Sequence, residues 1–167
     1  KTIYMIRHGE TAKNRAHVLQ GRCDEPLNEA GKQQAAIARD FFEQEGIRFD
    51  TVYSSPLIRA VKTVQIITDI DRDDILIDDH LQEMDYGPYE GIGLDDPPPE
   101  ILRFFSDFIN NPVPEGMEKL SDIVARMGQF LESLAEADTE TDEVILVATH
   151  AIALKGGLEY LTPGSEG

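Results

Sequence analysis

Apolar residues fall into two periodicities along this chain. Thr2-Ile3-Tyr4-Met5-Ile6 is a short apolar run that breaks off at Gly9. It is too short for a helix and reads as a strand buried on both faces, with Arg7 and His8 at its carboxyl end. Glu143-Val144-Ile145-Leu146-Val147-Ala148-Thr149 has the same character and delivers His150 at its end. Phe49 to Tyr53 and Ile75-Leu76-Ile77 are weaker strand candidates. Helical spacing lies between these runs. Asn28 reads as an N-cap, with Ala35, Ala38 and Phe42 on one stripe and Gly46 as the stop. Ser54-Ser55-Pro56 reads as a cap followed by proline at the first helical position, leading Leu57, Val61, Val64 and Ile67. Ile101 to Ile109 is a short helix closed by Asn111-Pro112, and Leu120, Val124, Met127, Leu131 and Leu134 mark the longest one. A last helix runs from Ala151 to about Leu161.

Three segments lack either period. Ala12 to Leu27 is polar and reads as a long loop, a kind that in compact domains usually carries function. His80 to Gly93 is a loop holding Glu83, and Asp95-Asp96-Pro97-Pro98-Pro99 reads as a surface loop, not a linker. Strands alternating with helices predict an α/β fold of three layers, a mostly parallel sheet flanked by helices, in one domain over 1–167.

Charge narrows the partners. Fifteen Lys and Arg stand against 32 Asp and Glu, a net charge of −17. Nucleic acid and anionic membranes both ask for a basic face, so neither is expected as a partner. Any local gathering of basic side chains is correspondingly informative, because the overall field repels an anion. The one cysteine, Cys23, fits a reducing compartment. With no 18-residue apolar run and no apolar h-region at the start, the expected location is the cytoplasm.

In open α/β sheets, ligands bind beyond the carboxyl ends of the strands. Three such ends carry polar residues here: Arg7-His8, Ser54-Ser55 with Arg59 just beyond, and Thr149-His150. Each has a plain structural explanation by itself, as a solvated helix arginine or a hydrogen-bonded strand-end histidine. Together they form one anion site with a nucleophile or base. Two arginines can fork onto phosphate oxygens, and two histidines can divide attack and hydrogen-bond donation. Glu83, from a loop, is the natural proton donor to a leaving oxygen.

Arg7-His8-Gly9-Glu10-Thr11 with Asn14 resembles the signature of the histidine phosphatase superfamily, the group that includes cofactor-dependent phosphoglycerate mutases. The resemblance continues through Gln20-Gly21, Pro26-Leu27-Asn28, Tyr53-Ser54-Ser55-Pro56-Leu57 with Arg59, Leu81-Gln82-Glu83 to Gly91, Pro114-Glu115-Gly116 with Glu118, and Val147-Ala148-Thr149-His150. It implies His8 as the residue that takes the phosphoryl group. Arg7, Arg59 and His150 would surround that group, and Glu83 would be the general acid. Asn14, Gln20, Gly21 and Ala151 would contribute contacts to phosphate or substrate. No cofactor and no metal are implied. Ala151 stands where the family usually has glycine, and Tyr86 and Tyr89 where Phe and Trp are commoner. His17 and His80 have no motif role and are expected to face solvent. A further strand, common in the family, is not evident after Leu161.

The expected activity is a phosphomonoester hydrolase acting on a small phosphorylated metabolite. A cofactor-dependent phosphoglycerate mutase stands as the alternative; 167 residues leave little room for the lid that shields a mutase's phosphoenzyme. A catalytically silent phosphate-binding or interaction module on the same fold stands third.

Overall fold

The computed structural model describes residues 1–136 and 142–164. The tail Ser165-Glu166-Gly167, part of the segment after the last expected helix, lies outside the described residues. Ten elements carry the fold: β1 (Thr2–Arg7), α1 (Ala12–Arg15), α2 (Glu29–Gln44), β2 (Thr51–Ser54), α3 (Ile58–Thr68), β3 (Leu76–Ile77), α4 (Pro99–Ser106), α5 (Leu120–Glu136), β4 (Val144–Thr149) and α6 (Ala151–Leu161). The strands pair in the order β1-β4-β2-β3, every pair parallel.

Because side chains alternate across a strand, the sheet has two apolar faces, and each is covered. Ile3, Met5, Tyr53, Ile145 and Val147 pack with residues of α4, α5 and α6. Tyr4, Ile6, Val52, Leu146 and Ala148 pack with α2 and α3. The result is the expected three-layer α/β/α fold. β4, the strand with the longest apolar run, sits between β1 and β2 and is buried from Ile145 onward.

Several local expectations shift. β1 is not buried on both faces: Ile3 to Ile6 are half-buried, because β1 is the edge of the described sheet and pairs only with β4. The segment after β1 opens with the single turn α1, whose N-cap Thr11 forms a capping box with Asn14. α3 begins at Ile58 with Leu57 as its N-cap, so Pro56 lies outside the helix and Ser55 does not cap it from the N-cap position. α4 starts earlier than expected, with Pro98 as N-cap and Pro99 as first residue, and ends at Ser106. Proline suits a first turn, whose N–H groups have no partner in the helix. On α5 the fully buried stripe includes Ile123 and Phe130, with Val124 at its flank. Asn28 caps α2 as expected, its Oδ1 accepting the Gly31 N–H at 2.8 Å.

Parallel register aligns the strand ends. Arg7 is opposite Thr149, and Ser54 is opposite both Ala148 and Ile77. His8, Ser55 and His150 therefore leave the sheet side by side.

Candidate functional site

His8 is fixed at both ring nitrogens. Its Nδ1 lies 2.6 Å from the Gly9 carbonyl oxygen, and Arg59 Nε donates to its Nε2 at 3.2 Å. A guanidinium can only donate, so Nε2 must carry the lone pair and Nδ1 the proton. The backbone that holds this ring is pinned in turn. Gly9 N–H donates to Thr63 Oγ1 at 3.2 Å, and that hydroxyl donates to the Arg59 carbonyl at 2.7 Å. Gly9 also lies against Gly31 of α2, so closely that a Cβ on Gly31 would stand 2.1 Å from the Glu10 carbonyl oxygen. Only glycine fits there.

His8 is driven down to about 4, first by burial, then by the charges of Arg59 and Arg7, against the Gly9 hydrogen bond that holds its proton. The arginines thus have the expected sign, but burial is the larger cause.

Arg59 is fully buried in the first turn of α3. Besides His8 it donates through Nη1 to the Cys23 carbonyl and through Nη2 to the Gly21 carbonyl. Gly21, with φ of 59°, turns the loop so that this carbonyl faces the guanidinium. Three of the five N–H groups are committed, leaving two for a substrate. Arg7, by contrast, is exposed at the end of β1.

His150 is completely buried, its ring centroid 5.1 Å from that of His8. Its Nε2 lies 2.8 Å from Ser55 Oγ, while Nδ1 is buried without a hydrogen-bond partner among the described residues. Ser55 Oγ already accepts from Leu57 N–H at 3.3 Å, so its own proton is free to go to Nε2. When the hydroxyl donates to Nε2, Nδ1 carries the ring's proton and is an N–H donor. Burial, then Arg59 and His8, hold the ring well below its ordinary protonation range.

Glu83 sits at the N-terminus of α6. Its Oε1 accepts from Met84 and Ala153 N–H at 2.9 and 3.0 Å, and Oε2 from Ile152 N–H at 3.2 Å. Burial raises its carboxyl above the usual range, against those three donors and the charge of Arg59. The surrounding loop is braced. Arg22 Nε donates to the Glu83 carbonyl at 3.1 Å, and Arg126 Nη1 donates to the carbonyls of His80 and Gln82 at 2.6 and 2.7 Å. Glu118 joins the two arginines: Arg126 Nε and Nη2 reach its oxygens at 2.9 and 3.0 Å, and Arg22 Nη2 lies at 3.5 Å.

Eight of the nine residues expected at the site, namely Arg7, His8, Asn14, Gln20, Gly21, Arg59, Glu83 and Ala151, line one hollow of about 240 Å³. His150 lies behind its wall. Asn14 and Gln20 are also held by the protein: Asn14 Oδ1 accepts from Thr11 N–H at 3.0 Å, and Gln20 Oε1 from Thr11 Oγ1 at 2.6 Å. His17 is exposed and paired with Asp95 at 2.8 Å, whereas His80 is only half exposed, its Nδ1 2.6 Å from Asp78 Oδ1 and its Nε2 facing Gln129. Among the described residues, no group of three or more His, Cys, Asp or Glu side chains is arranged to hold a metal ion. No helix there is long and apolar enough to cross a membrane.

Thr63, Arg22 and Arg126 were not expected to serve the site, and Ser55 was expected only as one of the polar residues at a strand end. Thr63 lies four residues beyond Arg59, one turn along the same helix. Arg126 gives one sequence signal, a charge next to the apolar stripe of α5.

The family model of the histidine phosphatase superfamily (branch 1) matches residues 3–166. The chain belongs to that superfamily. It is 30% identical over 167 residues to a putative phosphoserine phosphatase 2 of Hydrogenobacter thermophilus, covering 97% of this chain and 79% of the relative. To a probable phosphoglycerate mutase, GpmB, of Yersinia pestis it is 31% identical over 156 residues, 91% of this chain and 70% of the relative. The solved phosphoserine phosphatase of Entamoeba histolytica, in complex with 3-phosphoglyceric acid, superposes with a TM-score of 0.78 at 26% identity, over 95% of this chain and 78% of that one. The protein is an enzyme of the histidine phosphatase superfamily, with an α/β fold shared by phosphatases and mutases.

Proposed function

We propose that the chain is a phosphomonoester hydrolase that works through a phosphohistidine at His8. What carries this reading is the state of the His8 ring. With Nδ1–H donating to Gly9 and Nε2 accepting from Arg59, the imidazole is neutral and its lone pair faces the buried arginine, where a phosphoryl group would bind.

The chemistry divides among the chain's own residues. A bound phosphoryl group takes the two spare N–H groups of Arg59, the guanidinium of Arg7 and the Nδ1–H of His150, and draws Arg59 Nε off the His8 lone pair. His8 Nε2 attacks phosphorus as the bond to the ester oxygen breaks. The electron pair leaves with that oxygen, which takes the proton of Glu83. The raised carboxyl supports Glu83 as the acid, and the α6 N–H groups stabilise the carboxylate it becomes. Water then gives its proton to Glu83 and attacks phosphorus, and the N–P electron pair returns to His8. Phosphoryl transfer asks chiefly for positioning and charge neutralisation, and these residues supply both. The size of the hollow suits a small phosphorylated metabolite.

Phosphate release from p-nitrophenyl phosphate in EDTA, wild type beside His8→Ala, tests the reading. Activity that survives chelation and disappears in the variant is expected. Exchange between 3- and 2-phosphoglycerate outrunning phosphate release would replace hydrolase with mutase. No turnover of either kind by folded protein would overturn both.

A further inference from the structure

Besides a hollow of about 200 Å³ lined by Gln34, Ala35, Thr63 and Ile67, which lacks Glu83, two hollows meet at His8, and they differ in chemistry. One, of about 310 Å³, is polar and includes Glu10 and Gln34. The other, of about 240 Å³, holds Glu83, and its remaining wall is largely apolar, built from Val18, Leu94, Phe105 and Ile152. On the reading above, the proton donor must touch the ester oxygen. Glu83 lines the second hollow and not the first, so the leaving alcohol extends into the apolar one.

Away from His8 that hollow has no cation to receive a second negative charge: its other polar side chains are the neutral amides of Asn14 and Gln20 and the Tyr86 hydroxyl. Among its described lining residues the basic side chains are Arg7 and Arg59, both beside His8. Arg22, the next guanidinium, is spent on the Glu83 carbonyl and on Glu118. A carboxylate carried into this space would lie near Glu83, against a largely apolar wall, with neutral donors at most and no cation beyond those that hold the phosphoryl group, and burying such a charge is disfavoured. The polar hollow offers no alternative. Glu10 stands there, its carboxyl held below the usual range by Asn28 and Arg15. We infer that the leaving group is an uncharged alcohol with an apolar or aromatic body, and that the site discriminates against phosphomonoesters carrying a carboxylate, such as phosphoserine or 3-phosphoglycerate. This inference rests on the hydrolase reading for the direction of the leaving group.

The test compares kcat/KM of the full chain for benzyl phosphate and 2-naphthyl phosphate with that for O-phosphoserine and 3-phosphoglycerate. An apolar pocket contact is worth about 10- to 200-fold in such a comparison, and a preference of at least about tenfold for the aromatic esters is expected. Phe105→Arg, at the half-open rim of the hollow, should narrow that preference by raising turnover of phosphoserine and lowering that of naphthyl phosphate. His8-dependent hydrolysis with equal or better turnover of the carboxylates would overturn the inference and leave the hydrolase reading standing. A second measurement needs no turnover: calorimetric binding of benzylphosphonate against 3-phosphonopropionate. Tighter binding of benzylphosphonate supports the apolar site even if every ester is inert, in which case the hydrolase reading alone fails. Equal or reversed affinity overturns the inference.

Discussion

Arg126 and Glu118 face each other through two N–H···O contacts of 2.9 and 3.0 Å, and the same guanidinium reaches two carbonyls of the loop that carries Glu83. Both side chains are largely buried, at 14% and 13% of their full exposure. The pair therefore sets where Glu83 stands without touching the phosphoryl group. Removing one partner of such a pair costs on the order of 3 kcal/mol.

Arg126→Lys keeps the charge but loses the two-armed grip. It should slow hydrolysis of alkyl phosphates about tenfold and of p-nitrophenyl phosphate much less, because a good leaving group needs little help from a proton donor. Glu83→Gln should show the same selectivity more strongly. Equal losses on both esters in Arg126→Lys would mean that the brace serves the fold alone.

Gly31 gives a prediction about the nucleophile's support. A methyl group there would meet the Glu10 backbone at 2.1 Å, so either α2 or the loop after β1 must move. Gly31→Ala should cost about 3 kcal/mol, the upper part of the range for overpacking. For a chain of this size that is a fall of about 6–12 °C in Tm. Because the displaced loop carries the Gly9 carbonyl that fixes His8 Nδ1, the residual fold should also turn over slowly. Thermal melts beside kcat measurements decide this, and an unchanged Tm would refute the close-contact account.

Ser55→Ala addresses the buried histidine. Ser55 Oγ is the partner of His150 Nε2 at 2.8 Å. Without it the proton can move to Nε2, and Nδ1 ceases to be the donor offered to a phosphoryl oxygen. One such hydrogen bond is worth about 1 kcal/mol, so affinity for inorganic phosphate should weaken about five- to tenfold. Ser55→Thr, which restores the hydroxyl, should recover it. Unchanged phosphate binding in Ser55→Ala would show that Ser55 only supports the turn before α3.

The ends of β1 and β4 were legible because an apolar run stopping at a polar pair is a local pattern, and parallel pairing then brings Arg7, His8 and His150 to one edge. Asn28 was legible for the same reason, since capping is a short-range bond. β1's place at the sheet edge was not, because half-burial depends on which strand lies next to it. The start of α3 was misread, since Ser-Pro signals a helix start equally well two residues early. The brace of Arg22, Glu118 and Arg126 joins residues about a hundred positions apart, and no spacing rule points to it. The cause of the His8 shift was half legible: Arg7 and Arg59 stand in the recognised motifs, but the depth of burial comes from groups brought against the ring by the fold, among them Arg59 and His150.

That shift also predicts how stability follows pH. His8 is about 4 when folded and has an ordinary value of 6.5. Between those values the unfolded chain binds a proton that the folded one does not, so stability rises with pH across this window and falls on acidification. At about 1.4 kcal/mol per pH unit, this buried group accounts for a loss of about 3 kcal/mol between pH 6.5 and 4. His150, held down for the same reason, adds a loss of the same sign. Glu83 opposes them, since a raised carboxyl favours the folded state at low pH and loses that contribution as pH rises through its folded value. Comparing wild type with His8→Gln isolates the first contribution, because the amide keeps an acceptor for Arg59 but does not titrate. Urea unfolding at intervals from pH 7 to pH 4 should show the wild type losing about 3 kcal/mol more than the variant. Parallel curves would mean that His8 takes up its proton over the same pH range folded as unfolded, so that burial and the arginines do not keep its lone pair free on acidification.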